Sequence, residues 1–575
     1  MILKTPGHAE AFGDEALVLA ASLVKRGKIL AIKGLGGYHL ACSACDNEAV
    51  SCLRQRKQRE DKPFALMTLD LDAVRRICSI DAAEESLLLS HQRPIVLLRK
   101  CEPNPIAAQV APGQSRFGVM LPYAPLHYLL LDQCRLPLVM TSGNLSDEPI
   151  AFADAEAFER LSAITDIFLL HDRPIHMRCD DSVVRVVASR QTVIRRARGY
   201  APAPLRMSKH FVEPILACGA ELKNTFCLAK DDRAYLSHHI GDLANYEAYR
   251  SYTEAIEHYQ RLFDIRPTVV AHDLHPQYLS TQYAQQINSV TRIAVQHHHA
   301  HIASCMAENN LTGPVLGVAF DGLGYGDDGA IWGGEFLIAD FAGYEQVAHL
   351  RYVPLAGGDT AIRQPWRAAL SYLQDAPGCG NDPRALGLHH WENITTQQIA
   401  LSQAMMERNL NTVRTSSSGR LFDAVASIVG LRHEVNYEGQ AAIELEAAAL
   451  AGVEKRYPFE IGTAISKELD FRPTIGAIVR DVQRGVDISR IAAKFHNTVS
   501  AAIVETCCQL RQNGAPRQVC LGGGTFQNVY LIERLLPALA KHGFDVFLNS
   551  LVPSNDGGIS LGQTLVANAT IQRGG

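Results

Sequence analysis

Between Ala16 and about Arg196, apolar residues recurring at helical spacing alternate with short apolar runs at residues 29–33, 64–69, 94–98, 136–141, 182–187 and 192–195. Such alternation predicts an α/β domain built around a twisted sheet. Residues 198–206 then break the periodicity, with Gly199, Pro202 and Pro204 close together. That break marks the boundary between a first domain, 1–206, and a second, 207–575.

Within the second domain the pattern recurs. Residues 214–221 and 314–321 begin at prolines 100 positions apart, and each reads as a strand turning at an acidic residue, Glu221 or Asp321. The first is followed by strand-like runs at 224–230 and 233–239, the second by one at 330–340. Few positions match, so two unrelated meanders would look the same. A true duplication predicts two related lobes with a cleft between them that suits a nucleotide.

The length of 575 residues, 47% hydrophobic and 20% charged, is ample for large cores in at least two domains. A formal net charge of -5 provides no general attraction for nucleic acid or an anionic membrane surface, which leaves only local basic patches. No stretch approaches the roughly 20 apolar residues of a membrane span and the chain opens without an apolar leader core, so a soluble, cytoplasmic protein is expected. The 14 cysteines follow no regular frame, and the Cys42-x-x-Cys45 pair lacks a second pair to close a zinc site. They read as reduced core thiols.

The densest chemistry lies in Gln296-His297-His298-His299-Ala300-His301, after a strand-like run at 292–295 and at the start of a predicted helix ending near Asn310. His297 and His301 are four residues apart, which puts both imidazoles on one helical face, where they can bind one ion. Zinc and iron both accept imidazole. Two carboxylates in glycine-rich turns, Asp321 and Asp556, would complete the site. The competing reading is a solvated helix start that happens to be rich in histidine, but four histidines in five positions make that unattractive. His298 and His299 point elsewhere on the helix, where one could orient a ligand or touch substrate.

Two further segments admit both a chemical and a plain reading. Residues 519–528 form an apolar strand turning through Gly522, Gly523 and Gly524 toward Asn528 and a helix, either a phosphate cradle or a tight turn. The basic stretch with Arg54, Arg56, Lys57, Arg59 and Lys62 is either a solvated helix face or, at a helix-to-strand junction, a holder for a triphosphate. Thr141, Ser142, Asn144 and Ser146, with Arg195 further on, add small hydroxyl and cationic groups.

These residues carry a family resemblance. From about Pro214 to Ala567, the segments at 221–227, 237–242, 357–359, 365–367, 418–423, 437–439 and 555–563, with the histidine cluster and the glycine triplet, resemble the actin-like ATPase-fold family of the tRNA threonylcarbamoyl transferases. They resemble still more closely the HypF carbamoyltransferases of hydrogenase maturation. The resemblance implies a metal held by His297, His301, Asp321 and Asp556, and a nucleotide against Asp423, Gly439, Gly523, Gly524 and Asn528. Residues 16–204 resemble the YrdC-like fold, whose members make acyl adenylates from ATP and carbamate-type acids. The family's cationic pair and following lysine fall on Lys57, Arg59 and Lys62, and its serine and asparagine on Ser142 and Asn144. The segments 33–42 and 180–185 look closer to HypF than to the tRNA-modifying branch.

The resemblance implies an α/β protein with a YrdC-like domain followed by a duplicated, two-lobed actin-like domain. It implies an ATP- and Mg2+-dependent carbamoyltransferase with one transition metal, Zn2+ or Fe2+. Carbamate, or carbamoyl phosphate as its source, would be the substrate. The acceptor would be the C-terminal cysteine of a HypE-like partner. His297 and His301 would serve transfer, and Lys57 and Arg59 would serve adenylation. The acylphosphatase-like domain and paired CxxC modules of full-length HypF do not occur in this sequence, so adenylation is expected to start from carbamate and not from carbamoyl phosphate. The rivals are a fused tRNA threonylcarbamoylation enzyme, a small-molecule O-carbamoyltransferase, a nucleotide-binding scaffold and a metallopeptidase. The last lacks the glutamate that a His-Glu-x-x-His motif supplies as general base.

Overall fold

The computed structural model describes residues 1–5, 8–145, 148–380, 382–464 and 466–574. Ser146, part of the hydroxyl-rich segment, lies outside them.

A twelve-stranded mixed sheet organises the chain as far as Arg195. Its central strands are buried on both faces: Leu30 and Ile32 enter one core while Ile29 and Ala31 enter the other. A strand with no solvent face has no polar alternation, which is why these runs read as continuously apolar. Strands Leu30–Lys33, Ala65–Met67, Ile95–Lys100, Leu138–Ser142, Val183–Val187 and Arg190–Arg195 lie where apolar runs were read. The pattern missed Tyr38–Ser43, Arg116–Met120 and Ile167–Leu170 among others. Tyr38–Ser43 is the antiparallel partner of Leu30–Lys33, with Lys33 opposite Tyr38 across a glycine-rich turn. Its His39 and Ser43 disguise it in the sequence.

The next strand, Leu205–Ala217, begins inside the segment read as a periodicity break. It joins a four-stranded sheet in the order Cys227–Leu236, Leu205–Ala217, Val269–Asp273, Thr291–Val295. A nine-stranded sheet follows, in which Val315–Tyr325 pairs antiparallel with Ile331–Asp340 and parallel with Gln518–Gly522. One core joins the two sheets through helices His297–Glu308 and Ile559–Gly574, uniting Ile215, Ala217, Ala300, Ile302, Ala319 and Leu565. The helices touch at Gly562, where a Cβ would fall 1.9 Å from the Ala300 carbonyl oxygen. Only glycine fits there.

Two sequence expectations need correction. The runs at 224–230 and 233–239 are one strand, Cys227–Leu236, because the polar Asp231, Asp232 and Arg233 in its middle lie at an irregular register and look like a turn. Asp321 is not in a glycine-rich turn: the strand continues through it to Tyr325, with an irregular register between Phe320 and Gly324.

The two halves are in contact. Val193 N donates to the Ser550 carbonyl at 3.2 Å, and Asn555 Nδ2 to that of Ile194 at 3.1 Å. The last strands of the first sheet thus brace the loop that carries Asp556. Among the described residues, no helix is long and apolar enough to cross a membrane.

Candidate metal and nucleotide centre

Strand Thr291–Val295 delivers the chain to Gln296, whose Oε1 caps the histidine helix by accepting from His299 N at 2.8 Å. The first turn then presents His297 and His301 on one face. His297 Nε2 lies 3.6 Å from Asp321 Oδ2 and 3.8 Å from Asp556 Oδ1, and His301 Nε2 lies 3.8 and 3.7 Å from the same atoms. All four ligand atoms fall within 4.8 Å of one another, and all four residues are buried. The backbone irregularity after Phe320 aims Asp321 inward, and Gly524 N donates to its Oδ1 at 2.7 Å. Asp556 opens a 3-10 turn fixed by Asn555 Oδ1, which accepts from Gly557 N at 2.9 Å.

The four residues fit a metal ion. Neither His297 Nε2 nor His301 Nε2 has a hydrogen-bond partner among the described residues, although both are fully buried. Unpaired buried nitrogens are costly unless a ligand takes them. Burial and the neighbouring Asp321 carboxylate push the Asp556 carboxyl up to about 8, so these acids repel each other without a cation between them. A tetrahedral ion with bonds of zinc or iron length needs ligand atoms on the order of 3.4 Å apart, close to the separations here.

The pattern missed Asp273. Its Oδ2 accepts from His297 Nδ1 at 2.8 Å, which leaves the Nε2 lone pair directed at Asp321 and Asp556. Burial disfavours a charged His297, yet Asp273 outweighs it and holds the imidazole well above its ordinary range, so an ion binding at Nε2 must displace a proton there. Asp273 ends a strand whose neighbour is the one leading into the helix, with Asp273 opposite Val295. An acid closing the apolar run 269–273 was the available signal. Of the other histidines, His299 Nε2 bonds to the Asp340 carbonyl at 2.6 Å, and His298 packs near Trp332 with its ring centroid 6.0 Å away.

The residues assigned to the nucleotide divide. Asp423 is buried, paired with Arg420 at 2.9 Å, and raised by burial despite that partner. Gly439, at φ +74°, opens helix Gln440–Ala448 beside Glu438, which pairs with Lys223. Gly523 is required by packing, since a Cβ would lie 2.2 Å from the Phe320 carbonyl oxygen. Gly524 spends its N–H on Asp321. Asn528 is committed inside the protein, capping helix Val529–Lys541 at Leu531 N and meeting His496 Nε2, each at 2.9 Å. The glycine triplet therefore braces Asp321 as well as forming the strand-to-helix turn.

In the first domain, Lys57 Nζ donates to the Ser142 carbonyl at 2.8 Å and to Asn144 Oδ1 at 2.6 Å, and Ser142 Oγ donates to the same Oδ1 at 2.7 Å. Burial, then the nearby Arg59 cation, holds the Lys57 amine well below its usual range. Arg59 Nη1 reaches Thr141 Oγ1 at 3.4 Å. Arg54, one member of the basic run, is structural: its guanidinium bonds the carbonyls of Arg59, Glu60, Lys62 and Gln109 and so shapes the loop that presents its neighbours. Arg195 pairs with Asp180 at 2.5 Å. Burial, then the positive charges of Arg195, Lys223 and Lys62, keeps His239 well below its ordinary range.

Comparison with known proteins fixes the class. Residues 22–197 match the Sua5, YciO and YrdC family, described as telomere recombination; residues 210–308 match the HypF Kae1-like domain; residues 317–563 match the carbamoyltransferase Kae1-like domain, second subdomain. A YrdC-like sheet joined to actin-like, Kae1-type lobes is the architecture of a carbamoyltransferase. The carbamoyltransferase HypF of Synechocystis is 42% identical over 574 residues, covering 97% of this chain and 74% of that protein. A crystal structure of full-length HypF in a phosphate- and nucleotide-bound form is 46% identical with a TM-score of 0.93, covering 98% of this chain and 74% of that one. The crystal structure of T. kodakarensis HypF is 35% identical with a TM-score of 0.92, covering 100% and 76%. The chain belongs to the HypF carbamoyltransferase family, the family of hydrogenase maturation that its motifs resemble.

Proposed function

We propose that this protein makes carbamoyl adenylate from ATP and carbamate in its first domain and transfers the carbamoyl group to a thiol in its second. Lys57, Arg59 and Lys62, with Ser142, Asn144 and Arg195, hold the triphosphate with Mg2+. A carbamate oxygen attacks the α-phosphorus, the new O–P bond replaces the bond to the bridging oxygen, and pyrophosphate leaves with that electron pair. The nucleophile is already an anion, so positioning and charge neutralisation carry the step.

The adenylate is a reactive mixed anhydride and must meet little water before transfer. The contact of the first sheet with the Asp556 loop supports a short path between the two sites. In the second domain Asp423 and Gly439 bind the nucleotide. His297, His301, Asp321 and Asp556 would hold Zn2+ or Fe2+, which supplies Lewis-acid polarisation of the acyl or phosphate oxygen. Asp273 fixes the tautomer of His297. The acceptor thiolate, its proton already lost to solvent, attacks the carbamoyl carbon; the S–C bond forms, and the C–O bond to AMP breaks with its electron pair leaving on the AMP phosphate. The acceptor is the C-terminal cysteine of a HypE-like protein. We assign the reaction to the cytoplasm, with no role for nucleic acid or membrane.

The observation that carries this reading is the buried quartet of two imidazoles and two carboxylates. Its test combines the protein with ATP, Mg2+, freshly dissolved ammonium carbamate and a peptide ending in cysteine. Carbamoylated peptide, seen by mass spectrometry as an addition at sulfur, is expected. No such product, or equal yield from a peptide ending in serine, would count against it.

A further inference from the structure

Two segments that the family assignment leaves unused, the glycine turn after Lys33 and the acidic segment at Asp180 and Asp181, meet in one buried cluster of the first domain. Cys179 N donates to the Gly36 carbonyl at 3.0 Å, and a Cβ on Gly36 would fall 2.3 Å from the Cys179 carbonyl oxygen, so the backbones touch. His39 Nε2 donates to Asp181 Oδ2 at 2.9 Å, and Arg198 Nε to Asp181 Oδ1 at 2.8 Å. The Arg198 guanidinium lies 3.4 Å over the Tyr123 ring, which packs edge-on against His127 at 4.6 Å. Tyr123 Oη also lies 3.4 Å from His39 Nε2, on the Asp181 side of the ring, so these contacts leave Nδ1 facing away from them.

With Asp181 accepting from Nε2, the neutral ring keeps its lone pair on Nδ1. That atom is buried and has no hydrogen-bond partner among the described residues. Beside it is Gly34, where a Cβ would stand only 3.1 Å away. A buried acceptor left without a donor suits a small donor group of a ligand. His39 also pairs with Ser142 across the antiparallel strands, so both side chains leave the sheet on one face, about 5 Å apart at Cβ. Ser142 is the residue whose carbonyl Lys57 binds.

We propose that His39, oriented by Asp181 and Arg198, recognises the amino group of carbamate by accepting an N–H hydrogen bond at Nδ1, and so makes the first domain selective for an unsubstituted carbamate. This rests on the adenylation reading above. The acid lies with its carboxylate toward the α-phosphorus and its nitrogen toward Gly34. Acetate has the same shape with a methyl group in place of the amine and cannot make the bond.

The test measures pyrophosphate release with carbamate and with acetate. In His39→Gln the side-chain amide keeps the Asp181 contact but supplies no acceptor at the Nδ1 position. The ratio of kcat/KM for carbamate over acetate should fall on the order of tenfold, as expected for one buried hydrogen bond, with the KM for ATP unchanged. His39→Asn, whose amide oxygen sits near the Nδ1 position, should keep more of the preference. Equal loss with both acids, or an unchanged ratio, overturns the proposal. Should His39→Gln fail to fold by thermal melting, Gly34→Ala, whose methyl would stand 3.1 Å from Nδ1 and 2.9 Å from the Gly37 carbonyl oxygen, must lower the same ratio while melting as the native protein does. No release from the native protein with either acid would instead refute adenylation itself, and this inference with it.

Discussion

The two charged clusters of this chain are built on opposite plans. Around Lys57 every cation is matched inside the protein: the amine meets the Ser142 and Asn144 oxygens, and Arg195 meets Asp180. Around His297 and His301 the ring nitrogens facing each other and the carboxylates have no protein hydrogen-bond partner among the described residues, and the two acids oppose one another. Desolvated groups of the first kind are stable by themselves, whereas those of the second need an ion. The difference teaches that the second cluster's folding and its ion binding are linked, while the first cluster's geometry is self-supporting.

The strongest way to break that comparison is to remove one ligand. His297→Ala should lose the bound metal, measured by elemental analysis, and lower thiol carbamoylation by roughly a thousandfold, the equivalent of a few kcal/mol of lost charge stabilisation. Pyrophosphate release by the first domain should persist. A variant that keeps stoichiometric metal would end the ligand assignment.

The mirror experiment is Lys57→Met. It removes charge-assisted contacts in the self-supporting cluster and should slow pyrophosphate release by about a hundredfold. Metal content should be unchanged. Joint loss of both readouts would mean that the clusters are not independent.

Asp273→Asn sharpens the contrast on a smaller scale. The carboxylate is outside the quartet, yet it sets the His297 tautomer at 2.8 Å. Metal affinity, measured by competition with a chromogenic chelator, should weaken roughly 10- to 100-fold. No weakening would make Asp273 a simple structural partner.

How much of this was legible in the sequence depended on distance along the chain. His297 and His301 are neighbours through helical geometry, so their spacing alone announced them. Asp321 and Asp556 were found through glycine-rich surroundings, but the local reason for Asp321 was misread: a strand irregularity aims it, not a turn. Asp273 offered only the faint signal of an acid closing a strand-like run, because its relation to His297 exists through the pairing of two parallel strands. The same limit hid Arg54, whose five carbonyl partners, Val110 included, are brought together by the fold. Most doubly buried strands stood out as apolar runs, but Ile167–Leu170, equally buried, was passed over, and Tyr38–Ser43, with a histidine that reaches Asp181, was hidden by its polar residues. Polar residues in strands are where pattern reading fails and where the chemistry resides.

The smallest effect concerns pH and again contrasts the two regions. His127, in the first domain, is fully buried with both ring nitrogens unpartnered among the described residues, and burial lowers it to about 3 against the opposing pull of Asp181. His496, in the second, bonds at both nitrogens, to Ala492 O and Asn528, and is lowered to about 4. A depressed folded value means that the unfolded chain takes up the proton first as pH falls. The stability is therefore complete above the unfolded value near 6.5 and declines toward the folded one, by at most about 1.4 kcal/mol per pH unit for each group. Replacing His127 with leucine removes one such proton without breaking a hydrogen bond, so denaturant midpoints measured between pH 7 and 4 should fall less steeply than in the native chain. For His496 the same replacement also strips Asn528 of a partner and should lower the midpoint at every pH. Parallel slopes for the native protein and His127→Leu would show that His127 is not kept neutral by its burial.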